Sequence, residues 1–117
     1  MRNYSAEPAK SRLNSLKSTN ENDIIKVEKV TLYAKPNSIT ERIAAKGGID
    51  RNYYDNNGRQ YKQISNNDQG NPKKHPYGKH GEHAHDYIYD DQGKLIKRTT
   101  RKLTEEERKE IENILWQ

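Results

Sequence analysis

Residues 49–65 read I-D-R-N-Y-Y-D-N-N-G-R-Q-Y-K-Q-I-S. An Asn-Gly pair between runs of aromatic and β-branched residues is the strongest short-range signal for a β-hairpin, because tight hairpin turns need positive φ at their centre. The segment therefore predicts two antiparallel strands, 49–55 and 59–65, joined at Asn56-Asn57-Gly58. Strand alternation puts Arg51 and Tyr53 on one face and Asn52 and Tyr54 on the other.

A second hairpin follows the same logic downstream. From His83 to Tyr89 the period of two sets His83, His85, Tyr87 and Tyr89 on one face and Ala84, Asp86 and Ile88 on the other. Asp90-Asp91-Gln92-Gly93 turns the chain into a partner strand from Lys94 to Lys97 or Arg98. Thr104 then reads as a helix N-cap with Glu107 at the capping-box position, and Glu105 and Glu106 face the positive helix end. Ile111, Ile114 and Leu115 form its buried stripe, which predicts a helix over 104–116 backing the sheet. Between the hairpins, 66–81 is rich in Asn, Gly and Pro and reads as a long loop, a type that tends to carry function.

Upstream of the first hairpin, Val27, Val30, Leu32 and Tyr33 predict a strand starting near Ile24 and closed by Lys35-Pro36-Asn37. Ser38-Ile39-Thr40-Glu41 has capping-box spacing, and Ile39, Ile43 and Ala44 line one helical face before Gly47-Gly48, which predicts a short helix. Met1 to Asp23 is polar and reads as a flexible arm. The division is an arm over 1–26 and one domain over 27–117. The fold class is α+β: a small antiparallel sheet built from two hairpins, with a C-terminal helix packed on it.

At 117 residues there is room for a single small domain, and a hydrophobic fraction of 29% with no phenylalanine leaves its core to tyrosines and Trp116. A net charge of +5, from 22 basic and 17 acidic residues, favours an anionic partner, nucleic acid first. The absence of cysteine excludes disulfides, thiolate nucleophiles and cysteine-based zinc sites. No apolar run is long enough for a signal peptide or a membrane span, so no membrane partner is expected and a cytoplasmic setting, in a host or target cell, is.

The candidate chemistry lies in 71–89, which holds all four histidines. His83 and His85 on one strand face, with His75 and His80 from the loop, have the makings of a site for zinc or another divalent metal. Without a metal, the same residues suit phosphodiester cleavage by general acid and base: His80, His83 and His85 are the candidate catalytic groups, beside Lys79 and Tyr87. Lys74, Arg98 and Arg101 are candidates to hold the phosphate of RNA, where the 2′-OH supplies the nucleophile. Because the only carboxylate on that strand, Asp86, points to the other face, the metal-free version is slightly favoured and no cofactor is expected. His80-Gly81-Glu82 lacks the Pro-Cys-x-x-Cys of zinc deaminases, His-Glu-x-x-His is absent, and the helix from Thr104 carries no histidine as a ββα-metal nuclease would.

The tyrosine hairpin with Asn57-Gly58-Arg59, then Asp-x-Gly-Asn-Pro-Lys-x-His-Pro over 68–76, then His83-Ala84-His85 with an aromatic after it, resembles the C-terminal modules of bacterial and prophage polymorphic-toxin-type proteins, such as those that end phage head-morphogenesis proteins. The resemblance runs from about Val27 to the C-terminus. Where the family pattern reads Asp-His-Gly-Asn-Pro this chain has Gln69, which leaves His75, His80, His83 and His85 to carry any activity. The resemblance implies a small toxin-like nuclease, acting on RNA sooner than DNA, with an immunity protein as antagonist. The alternative is a non-catalytic phage or mobile-element binding protein with a structural histidine–metal site or a basic interaction surface.

Overall fold

The computed structural model describes residues 23–44 and 46–115. Most of the arm expected over 1–26, and Trp116, lie outside them. Six strands form one sheet in chain order: β1 (Ile25–Lys26), β2 (Ile39–Ile43), β3 (Ile49–Tyr54), β4 (Gln60–Ser65), β5 (His83–Tyr89) and β6 (Leu95–Arg101). Neighbours are antiparallel except for β1, which pairs parallel with β2. Helix α1 (Glu105–Glu110) and a 3-10 turn (Glu112–Ile114) follow. No helix of the described residues is long and apolar enough to cross a membrane.

Both expected hairpins form. The first has a longer connection than a two-residue turn, spanning 55–59, because the Asp55 carboxylate accepts the N–H groups of Asn57 and Arg59 and supports a wider loop. Gly58 is needed there: its φ is +78°, and a Cβ would stand 2.5 Å from the Ala34 carbonyl oxygen. Thr104 caps α1 as the spacing predicts, its hydroxyl accepting from Glu107 N–H while the Glu107 carboxylate accepts from Thr104 N–H.

Two upstream expectations are corrected. Residues 39–43 form strand β2 and not a helix. The capping-box pattern is a local signal, and tertiary pairing overrides it: Ile39, Thr40 and Ile43 lie opposite Tyr53, Asn52 and Ile49 on β3, while Glu41 is buried against the Arg51 guanidinium at 2.8 Å and also pairs with Lys26. The long strand expected from Ile24 shrinks to Ile25–Lys26. The segment after it runs along the tip of the first hairpin, with Leu32 accepting from Gln60 N–H, Ala34 donating to Gly58, and Tyr33 bridging Arg59.

Register gives the sheet two unlike faces. Residues directly opposite one another share a face, so Arg51, Ile64 and Ala84 fall on one side, and Asn52, Gln63 and His85 on the other. The first side is the core, where Tyr53, Ile64 and Ala84 meet Leu103 and Ile111, with Ile39, Tyr61, Ile114 and Leu115 around them. Here Glu107 is the electrostatic centre. It receives Arg101 at 2.8 and 2.9 Å and Lys62 at 3.1 Å.

Burial alone would raise the Glu107 pKa, but the Arg101 hydrogen bonds, the Thr104 N–H and Lys62 outweigh it and hold the carboxyl at about 2. A carboxyl depressed below its unfolded value of 4.5 contributes stability that is complete above 4.5 and lost as pH falls towards 2. We therefore expect the melting temperature of the protein to fall steeply between about pH 5 and pH 2, and Glu107→Gln to flatten that dependence while lowering stability at neutral pH by about 3 kcal/mol, because it takes the carboxylate away from Lys62 and leaves Arg101 to Asp86 alone.

Candidate metal centre

The second face of the sheet carries side chains of Thr40, Asp50, Asn52, Gln63, Ser65, His83 and His85, all buried and all polar. Over part of this face lies the loop between β4 and β5, whose Gln69 and His75 meet Asp50, Gln63, His83 and His85. Glu82 fixes the near end of that loop, accepting from the N–H groups of Lys79 and His80 and from Arg108 of α1 at 3.0 Å. Gly81 lets the loop close: its φ is +82°, and a Cβ would lie 2.4 Å from Asp68 Cβ.

Three imidazoles meet under the loop. His83 and His85 are 0% and 1% exposed, and their Nε2 atoms are 3.1 Å apart. The His75 ring stacks on His83 with centroids 3.9 Å apart and planes 5° from parallel. One ligand nitrogen from each of the three lies within 4.8 Å of the others. Each ring has its Nδ1 engaged elsewhere: His75 with the Asp68 carbonyl at 2.7 Å, His83 with the Gly81 carbonyl at 2.7 Å, and His85 with the Thr100 hydroxyl at 3.0 Å. A carbonyl only accepts, so Nδ1 of His75 and of His83 carries the proton, and in the neutral ring Nε2 keeps the lone pair. This is the arrangement by which outer groups fix the tautomer of metal-binding histidines.

Burial and nearby charge favour the neutral rings. Burial lowers the His85 pKa to about 4, helped by the nearby Arg98, His83 and His75. Burial also lowers His83, with the His75 charge acting in the same direction and the Gly81 carbonyl and Asp50 opposing. Neutral imidazole is the form that binds metal.

The other nominated residues are distributed around this centre. His80 is exposed and stands outside the three-histidine group; with Lys79, Tyr77 and His75 it lines an open cleft of about 470 Å³ beside it. Lys74 is exposed on the loop. Arg98 lies opposite Tyr87, donates to its hydroxyl at 3.1 Å and stacks over its ring. Arg101 is on the opposite face, held by Asp86 and Glu107, so its guanidinium belongs to the core-side ion network. Asp86 points away from the histidines, as alternation requires.

Sequence reasoning missed three participants. Gln69, Asp50 and Thr100 come within reach only after the loop folds and the strands register. Gln69 Oε1 is 3.2 Å from His83 Nε2 and 3.3 Å from His85 Nε2. The sequence carried no signal for these three, because a regularly polar hairpin face such as Asp50, Asn52, Gln63 and Ser65 reads as the solvent side of a sheet.

No protein-family model, curated protein or solved structure matches the chain. The reading of the site therefore rests on its geometry.

For a histidine whose folded pKa lies below its unfolded 6.5, the unfolded chain takes up a proton that the fold refuses. The contribution of such a residue is complete above pH 6.5 and falls as pH drops through that value towards 4. In metal-free protein the urea midpoint should decline from pH 7 to pH 4, and imidazole 15N shifts should place His85 at a midpoint near 4. A His85 midpoint at 6.5 would contradict the buried, neutral assignment.

Proposed function

We propose that this protein is a divalent-metal-binding domain in which His75, His83 and His85 hold an ion of the zinc class. The observation that carries the reading is the convergence of one ring nitrogen from each of three imidazoles within 4.8 Å, with the Nδ1 atoms of His75 and His83 held by carbonyls. His83 Nε2 and His85 Nε2 stand 3.1 Å apart, a separation that a shared proton fills in the metal-free protein and a shared cation fills in the loaded one. Imidazole donors without thiolate suit zinc, cobalt, nickel or copper sooner than calcium or magnesium. Metal here ties the 66–82 loop, through His75, to β5, which makes it a staple for a domain with a small apolar core.

A second reading makes the same centre catalytic, and the cleft beside His75 favours it. Three histidines on a metal leave a position for water, whose pKa a zinc-class ion brings down towards 7. Arg98 beside His85, and Lys79 and His80 in the cleft, supply cationic and hydrogen-bonding groups for a phosphodiester. This is the toxin-type nuclease implied by the resemblance, with RNA as the substrate, an immunity protein as antagonist and the cytoplasm of a host or target cell as its setting. The metal-free variant is weaker, because a general acid must be protonated near the working pH and His83 and His85 are both shifted away from that.

One equivalent of zinc(II) or cobalt(II) should raise the melting temperature by about 10–20 °C at a free-metal level 100 times the Kd, which corresponds to about 2.7 kcal/mol. Chelator should reverse the shift, His83→Ala/His85→Ala should abolish it, and His80→Ala should preserve it. Labelled RNA and DNA incubated with the loaded protein decide the second reading. Cleavage of RNA that stops on chelation supports it, and no cleavage of either leaves the structural centre alone.

A further inference from the structure

We propose that Gln69 is the fourth donor of this centre, binding the metal through its side-chain carbonyl oxygen and closing the site in its resting state. The inference rests on the metal reading above and adds a ligand to it. In a tetrahedral site with bonds of about 2.0–2.1 Å, neighbouring donors stand about 3.3 Å apart. Gln69 Oε1, His83 Nε2 and His85 Nε2 already form such a triangle, with edges of 3.2, 3.3 and 3.1 Å. His75, on the loop, has a ring nitrogen within 4.8 Å of those of His83 and His85 and completes the fourth vertex by approaching them.

The orientation of the amide follows from its other end. Gln69 Nε2 donates to Asp50 Oδ1 at 3.1 Å and to Gln63 Oε1 at 3.2 Å. Both are acceptors, so turning the amide over would set oxygen against oxygen at both contacts. Asp50 is itself fixed by the Ser65 hydroxyl at 2.7 Å, and Gln63 donates to Asn52 at 2.8 Å. The backbone agrees: Gln69 has φ +55°, a left-handed conformation that a residue with a long side chain adopts at a cost, and the Asn67 carboxamide oxygen holds its N–H at 2.7 Å.

Chemically the donor set is three imidazoles and one neutral oxygen, so the ion keeps its full charge. Asp50 supplies the nearest compensation through the amide, polarising the carbonyl towards the metal. Asp50 is thus a positioning residue, and Gln69, the weakest donor of the four, keeps its place against an incoming anion only while Asp50 and Gln63 hold it.

Cobalt(II) with azide as the competing anion tests this in the full chain. Wild type should bind one cobalt with the visible bands of a four-coordinate ion, and azide should leave them unchanged. Gln69→Ala, with an unchanged far-ultraviolet circular dichroism spectrum, should bind cobalt at least about 10-fold more weakly, since losing even a group that only supports a ligand costs about 10–100-fold. Its bands should shift on adding azide at concentrations that do not affect wild type. Equal affinity in the two proteins, or a wild-type spectrum that responds to azide as the variant does, overturns Gln69 as a donor while the three-histidine centre stands. A wild type that develops no cobalt bands removes the centre, and Gln69 with it.

Discussion

The alignment of β3, β4 and β5 is the constraint on which the rest of the molecule depends. Ile64 opposite Arg51 and Ala84, and Gln63 opposite Asn52 and His85, sort the side chains into an apolar layer under α1 and a polar layer under the loop. A slip of one residue in any of these pairs would move Ile64 to the loop side and a histidine into the core. Leu103 and Ile111 then have nothing to pack on, and the histidines no longer meet. The bulge between Tyr53 and Tyr54 is accommodated at the hairpin end, which leaves the alignment at Asn52 and Gln63 intact.

A polar face can be buried only if its groups find partners, since each unsatisfied one costs on the order of 1–3 kcal/mol. Here the partners form one continuous chain. Asn52 donates to Thr40 and accepts from Gln60 and Gln63; Gln63 accepts from Gln69; Gln69 and Ser65 both donate to Asp50. The chain ends at His83 and His85. Scaffold and site are therefore one network, and the orientation of each amide is dictated by the next.

The ion network on the other face does the corresponding work for the helix. Glu107 caps α1, receives Arg101 from β6 and Lys62 from β4, and so ties three elements together where apolar area is scarce. Glu82 links the loop to α1 through Arg108, and the same residue fixes the Lys79–His80 turn. The helix that backs the core thereby also holds the cover of the three-histidine cluster in place.

The hairpins, the Thr104 cap with its Glu107 partner, and the shared face of His83 and His85 were determined by sequence alone, because turn chemistry, capping and strand period are local and need only a few neighbouring residues. The same local logic misassigned Ser38–Glu41, where strand pairing with β3 and the buried Arg51–Glu41 contact outweigh a cap. Which histidine joins the pair was a tertiary matter: His75 and His80 are alike in sequence, but the loop stacks His75 on His83 and turns His80 out to the surface. Gln69 comes to lie against His83 and His85 for the same reason. Its amide is placed by Asp50 and Gln63, residues 19 and 6 positions away, and contacts at that separation are set by the closing of the loop over the sheet and by no pattern along the chain.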